Sequence, residues 1–101
     1  MTEQQTISWI FLSIAIASQT EATDLKGIAL TADYINHSIP NQKELQNSIS
    51  WLLKNVLIFQ TEEKYQLTNL GKSEYEKASE NTHILFKIWN NLELRIIKLK
   101  E

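Results

Sequence analysis

Two kinds of pattern run along the chain. In the longer blocks apolar residues return every three or four positions, and in the shorter ones they alternate with polar neighbours. The clearest long block is "IPNQKELQNSISWLLKNVLIF". Leu45, Ile49, Leu52, Leu53 and Val56 fall on one face at helical spacing, and Lys43, Gln46, Asn47, Ser50 and Lys54 lie across the other side. Asn41 supplies an oxygen for an orphan amide of the first turn, and Glu44 can reach back to it as a capping box. The pattern predicts a helix over 42–55. The block before it, "TDLKGIALTADYIN", predicts a helix over 24–36. Thr23 or Asp24 would cap it, with Leu25, Ile28, Ala29, Ala32 and Ile35 facing inward. Gly27 weakens that helix by up to about 1 kcal/mol relative to alanine, so packing has to hold it. Asn36-His37-Ser38 ends it, and Ile39, preceding Pro40, is kept out of the helical region.

After the second helix come "VLIFQ" and "KYQL". Tyr65 and Leu67 alternate with polar residues as in a half-buried strand, and Thr61-Glu62-Glu63 leaves room only for a tight connection. A hairpin over 56–67 is therefore expected. Thr68 can cap a charged helix over 69–79, in which Glu74 has at most one weak partner a turn away. Ser79 to Thr82 reads as a break, and Thr82 as the cap of a last helix over 83–100. That helix carries Leu85, Ile88, Trp89, Leu92, Ile96 and Leu99 along one side. Each such side chain is worth about 1.5–3 kcal/mol when buried. The stripe must therefore be covered by the first helix, by a second copy of the chain, or by both.

The first apolar block, residues 7–17, is interrupted only by Ser8 and Ser13. It predicts a helix over 7–18, apolar nearly all round, which must be covered on more than one side. Residues 1–6 are polar and read as frayed. The block is shorter than the roughly twenty residues a membrane-crossing helix needs. Ala15-Ile16-Ala17 resembles a signal-peptide cleavage site, but the preceding flank has Glu3 and no Lys or Arg, which is the wrong charge for a leader. The expected fold is mostly α with a small β-hairpin, in one domain over 1–101.

The order of these elements, with the run "LKNVLIF…KYQLTNLG", resembles the winged helix-turn-helix proteins of bacterial regulators, here with extra N- and C-terminal helices. Leu67, Thr68 and Gly71 match the L-T-x-x-G step that follows the wing in those proteins. The resemblance covers residues 23–79. It implies that helix 42–55 is a recognition helix and that the hairpin is its wing. It further implies a transcription regulator binding double-stranded DNA; the lack of cysteine fits a reducing cytoplasm, and the apolar excess at both ends of the chain points separately to a homodimer. Gln42, Lys43, Gln46, Asn47, Ser50 and Lys54 would then contact DNA. Trp9, Phe11, Leu85, Trp89, Leu92, Ile96 and Leu99 would form the subunit contact. Asn55 stands where a small turn residue is usual. The wing tip is Glu62-Glu63, where a DNA-binding wing commonly carries Arg or Lys.

Charge weakens the DNA reading. The net charge of this 101-residue chain is −2, whereas a dedicated DNA-binding domain usually shows a basic face. Arg95 is the single arginine, and the lysines are spread along the length. The alternative is a winged-helix protein-interaction module without DNA binding, using the first and last helices or the face around Trp51. Trp51 falls on the flank of its helix, where it could close the core against the hairpin. Tyr34 falls away from the apolar face of its own. An enzyme is not expected. There is no cysteine, no glycine-rich phosphate loop, and no second histidine at metal spacing from His37 or His83. The adjacent Glu62 and Glu63 sit on a turn rather than in a pocket that would perturb their titration. No cofactor, no metal and no membrane association are expected.

Overall fold

A computed structural model describes residues 1–100. It contains five helices and one antiparallel hairpin. The elements are α1 (Glu3–Ala17), α2 (Leu25–Asn36), α3 (Gln42–Lys54), β1 (Ile58–Thr61), β2 (Lys64–Leu67), α4 (Asn69–Ser79) and α5 (Leu85–Lys100).

α1 is the centre of the core. Every residue from Ile7 to Ala15 is buried, and α2, α3 and α5 all pack on it. Its two serines survive burial because each hydroxyl donates back to a carbonyl of its own helix, Ser8 to Gln4 and Ser13 to Trp9. The frayed start expected for residues 1–6 is corrected. Thr2 and Gln5 form a capping box, and the helix begins at Glu3.

α5 returns along α1 and covers the side that the sequence left open to a second copy. Trp9, Phe11, Leu92 and Ile96 are at most 2% exposed, and Trp89 is 9% exposed. These five residues are therefore core residues of their own chain and are not free to form a subunit contact. Leu85 is half-buried and Leu99 is exposed. α5 begins at Leu85 rather than 83, since Lys87 and Ile88 N–H both close the opening turn on the Ile84 carbonyl; Thr82 Oγ1 accepts from Ile84 N–H just before it. Between α4 and α5, Glu74 meets Arg95 through two hydrogen bonds of 2.7 and 3.2 Å, a pairing that helical spacing within α4 does not suggest.

Asp24 caps α2 by accepting from Gly27 N–H, which leaves Leu25 in the first turn and exposed rather than inward. Thr23 is instead drawn to the hairpin. Its N–H donates to the Tyr65 carbonyl at 3.0 Å, and Tyr65 N–H donates back at 2.7 Å. β2 therefore has a bridge to Thr23 on one side and β1 on the other, with Ile58 opposite Leu67 and Thr61 opposite Lys64. Ile58, Tyr65 and Leu67 face the core, while Phe59 and Gln66 form an opposed pair on the outer face.

The α3–β1 junction departs most from expectation. α3 stops at Lys54, and Val56 leaves the apolar face to become 60% exposed with φ 60°. Leu57 N–H donates to the Leu52 carbonyl and Val56 N–H to that of Leu53. This is the Schellman arrangement, normally built around glycine at the left-handed position. The apolar contact that accompanies it is present, because Leu52 and Leu57 are both buried. Gly71 serves another purpose. A Cβ there would collide with the Leu57 carbonyl oxygen, so its lack of a side chain lets α4 sit against the junction.

Candidate functional site

The outer side of α3 is a surface of unengaged polar side chains. Its core side is anchored by Ser48, Ile49 and Leu52, with Leu45 and Leu53 half-buried beside them. Asn41 accepts from Glu44 N–H at 2.8 Å and Glu44 accepts from Asn41 N–H at 2.9 Å, so the capping box forms as expected. At the other end the Asn55 amide donates to the Trp51 carbonyl. The helix is thus closed at both ends by its own side chains.

Gln42, Lys43, Gln46, Asn47, Ser50 and Lys54 are all exposed. At 100° per residue they share an arc of roughly 140°, and the helix spans about 20 Å. None of these six side chains has a hydrogen-bond or ion-pair partner among the described residues. The structure therefore brings the six together on one surface, as their spacing indicated.

The neighbourhood is mixed in charge. A groove of about 300 Å³ runs between the start of α1 and α3, and its walls include Glu3 and Glu44 as well as Lys43 and Asn47. The hairpin tip carries Glu62, at φ 59°, and Glu63, which shares a cleft with Asp24 and Lys26 at the start of α2. The guanidinium of Arg95 donates two hydrogen bonds to the Glu74 carboxylate, which raises the Arg95 pKa above the ordinary value. The one arginine of the chain is thereby engaged between α4 and α5 and is not part of the α3 surface.

Trp51 is half-buried and packs against the core. The Lys100 ammonium stands 5.9 Å from its ring centroid and also pairs with Glu3. This contact ties the end of α5 to α1 and α3, and no spacing in the sequence signals it. Tyr34 is 72% exposed and lies on an open cleft with Tyr75 and His83. His37 takes φ 53° as the left-handed cap of α2, with its N–H on the Asp33 carbonyl, which is a backbone role. Among the described residues no group of three or more His, Cys, Asp or Glu side chains is placed to hold a metal ion, and no helix is long and apolar enough to cross a membrane.

Comparison with protein families, curated proteins and solved structures finds no match to this chain.

Proposed function

We propose that the chain is a winged helix-turn-helix protein, with α2 and α3 as the helix pair and β1–β2 as the wing. Within that class we read it as a DNA-binding transcription regulator acting as a homodimer. The observation that carries this reading is the α3 surface, where six polar side chains project from one arc of a helix whose apolar side is locked into the core. The bridge between Thr23 and Tyr65 adds support, because it ties the segment before the helix pair to the wing.

In a dimer the two α3 helices would address half-sites about one helical turn of DNA apart. The subunit contact would use what α5 leaves exposed, Phe86, Leu94 and Leu99. The test is retention of mixed genomic duplex fragments at low and moderate salt by the parent and by the double variant Lys43→Ala, Asn47→Ala. Specific retention should disappear in the variant while sedimentation stays unchanged. Specific binding that survives both substitutions would remove α3 as the reading helix.

A second reading, a protein-interaction module of the same fold, is favoured by the acidic tip and by Glu3 and Glu44 beside Lys43. It predicts no retention of any duplex even at low salt.

A further inference from the structure

We propose that the α3 surface reads A·T base pairs in the major groove through its carboxamides, and that it discriminates against G·C. This deepens the DNA-binding reading above and rests on it.

The two purines display different edges in the major groove. Adenine presents an N6 amino donor beside the N7 acceptor, whereas guanine presents two acceptors, O6 and N7. A carboxamide carries one acceptor and one donating NH₂ group, so it matches adenine with two hydrogen bonds at once. Guanine needs two donors side by side, which the guanidinium fork supplies best.

α3 has three carboxamides on its outer arc, Gln42, Gln46 and Asn47, and all three are exposed. Gln42 and Gln46 are one turn apart, and Asn47 follows directly. Their amides have no partner within the described chain, in contrast to Asn41 and Asn55 at the two ends of the same helix, which are both engaged as caps. The donor set suited to guanine is weak here. Arg95 is bound by both carboxylate oxygens of Glu74. Lys43 is a single ammonium with no fork of parallel donors, and it lines a groove with Glu3 and Glu44. Lys54 is the last residue of α3 and stands alone at that end of the arc.

Few cations also means few phosphates neutralised. With Lys43 and Lys54 from each of two subunits, the slope of log affinity against log salt should be shallow, about −3 to −4. Selectivity would then come from the bases rather than from the backbone.

The experiment uses the full chain and a pool of 30-base-pair duplexes with a randomised centre. Retained duplexes are sequenced, and the best is remade with 7-deazaadenine, which removes the N7 acceptor but leaves pairing and the minor groove intact. The expected results are enrichment of A·T at the selected positions and about tenfold weaker binding to the 7-deaza duplex. Gln46→Ala and Asn47→Ala should flatten the preference, while Lys43→Ala should weaken all duplexes alike. Retention without base preference, enrichment of G·C, or indifference to 7-deazaadenine overturns the inference and leaves DNA binding standing. Failure to retain any duplex at low salt overturns both. Circular dichroism of each variant confirms the fold, which exposed positions should not disturb.

Discussion

Trp89 of α5 lies against Trp9 of α1 with ring centroids 6.1 Å apart and planes inclined by 27°. The Trp9 indole N–H donates to the Ala32 carbonyl of α2, and the Trp89 N–H donates to Gln5 O and Ser8 Oγ of α1. Phe86 extends the stack outward at 5.8 Å from Trp89. Three helices are joined by this ladder, with each indole donor satisfied. Trp89→Phe keeps a ring in place but loses the donor, and should lower stability by about 1 kcal/mol. Trp89→Ala removes the ring as well and should lower it by about 3–5 kcal/mol. Urea unfolding of both variants measures the difference. Equal losses would show that the ring itself adds little.

Arg95 and Glu74 join α4 to α5, and the Glu74 side chain is only 13% exposed. Removing the guanidinium leaves that carboxylate largely desolvated without its partner. Arg95→Met should therefore destabilise more than the double variant Arg95→Met, Glu74→Leu, with a coupling energy of about 1 kcal/mol or more in the double-mutant cycle. The hydrogen bonds that Arg95 donates to the Glu74 carboxylate raise the Arg95 pKa. A raised folded-state pKa contributes stability that is present below the unfolded pKa and lost as pH climbs through the folded one. For arginine that window lies in strong alkali, so the contribution should hold flat between about pH 6 and 10. A fall within that range in the parent but not in the double variant would contradict it.

Val56 is a β-branched residue at φ 60° whose side chain gains little from burial. The left-handed region disfavours a residue with a Cβ by about 1–2 kcal/mol, partly offset for glycine by its greater freedom when unfolded. Val56→Gly should raise stability, by up to about 1 kcal/mol, in thermal or denaturant unfolding. Destabilisation by the same amount would mean that the exposed valine makes contacts that outweigh the strain.

Gly71 behaves in the opposite sense. Alanine is ordinarily the better helix residue by about 1 kcal/mol. Here its Cβ meets the Leu57 carbonyl, a backbone atom that cannot swing aside. Gly71→Ala should destabilise by about 3 kcal/mol, near the upper end of overpacking penalties. An unchanged midpoint would show that α4 can slide away from the junction.

Much of the local structure was legible. Asn41 with Glu44, Asp24 before α2 and Thr68 before α4 all cap their helices, because a cap is a contact between a side chain and an amide two or three residues away. The polar arc of α3 was legible for the same reason, since Gln42 to Lys54 are placed by helix geometry alone. The subunit contact assigned to Trp9, Phe11, Trp89, Leu92 and Ile96 was not. An apolar stripe states that something must cover it and leaves open whether the cover is the same chain. The bridge from Thr23 to Tyr65, the pair of Arg95 with Glu74, and Lys100 against Glu3 and Trp51 all join positions far apart in the chain. No periodicity encodes them.

By itself the amino-acid order determined five helix-forming blocks, a hairpin and the outward polar side of α3, because these follow from periodicity and caps within a few residues. Only the tertiary structure decided that α5 covers α1, that Val56 turns outward, and that the sole arginine stays beside Glu74. Those outcomes depend on which distant surfaces meet, and that is fixed by mutual packing of the whole chain.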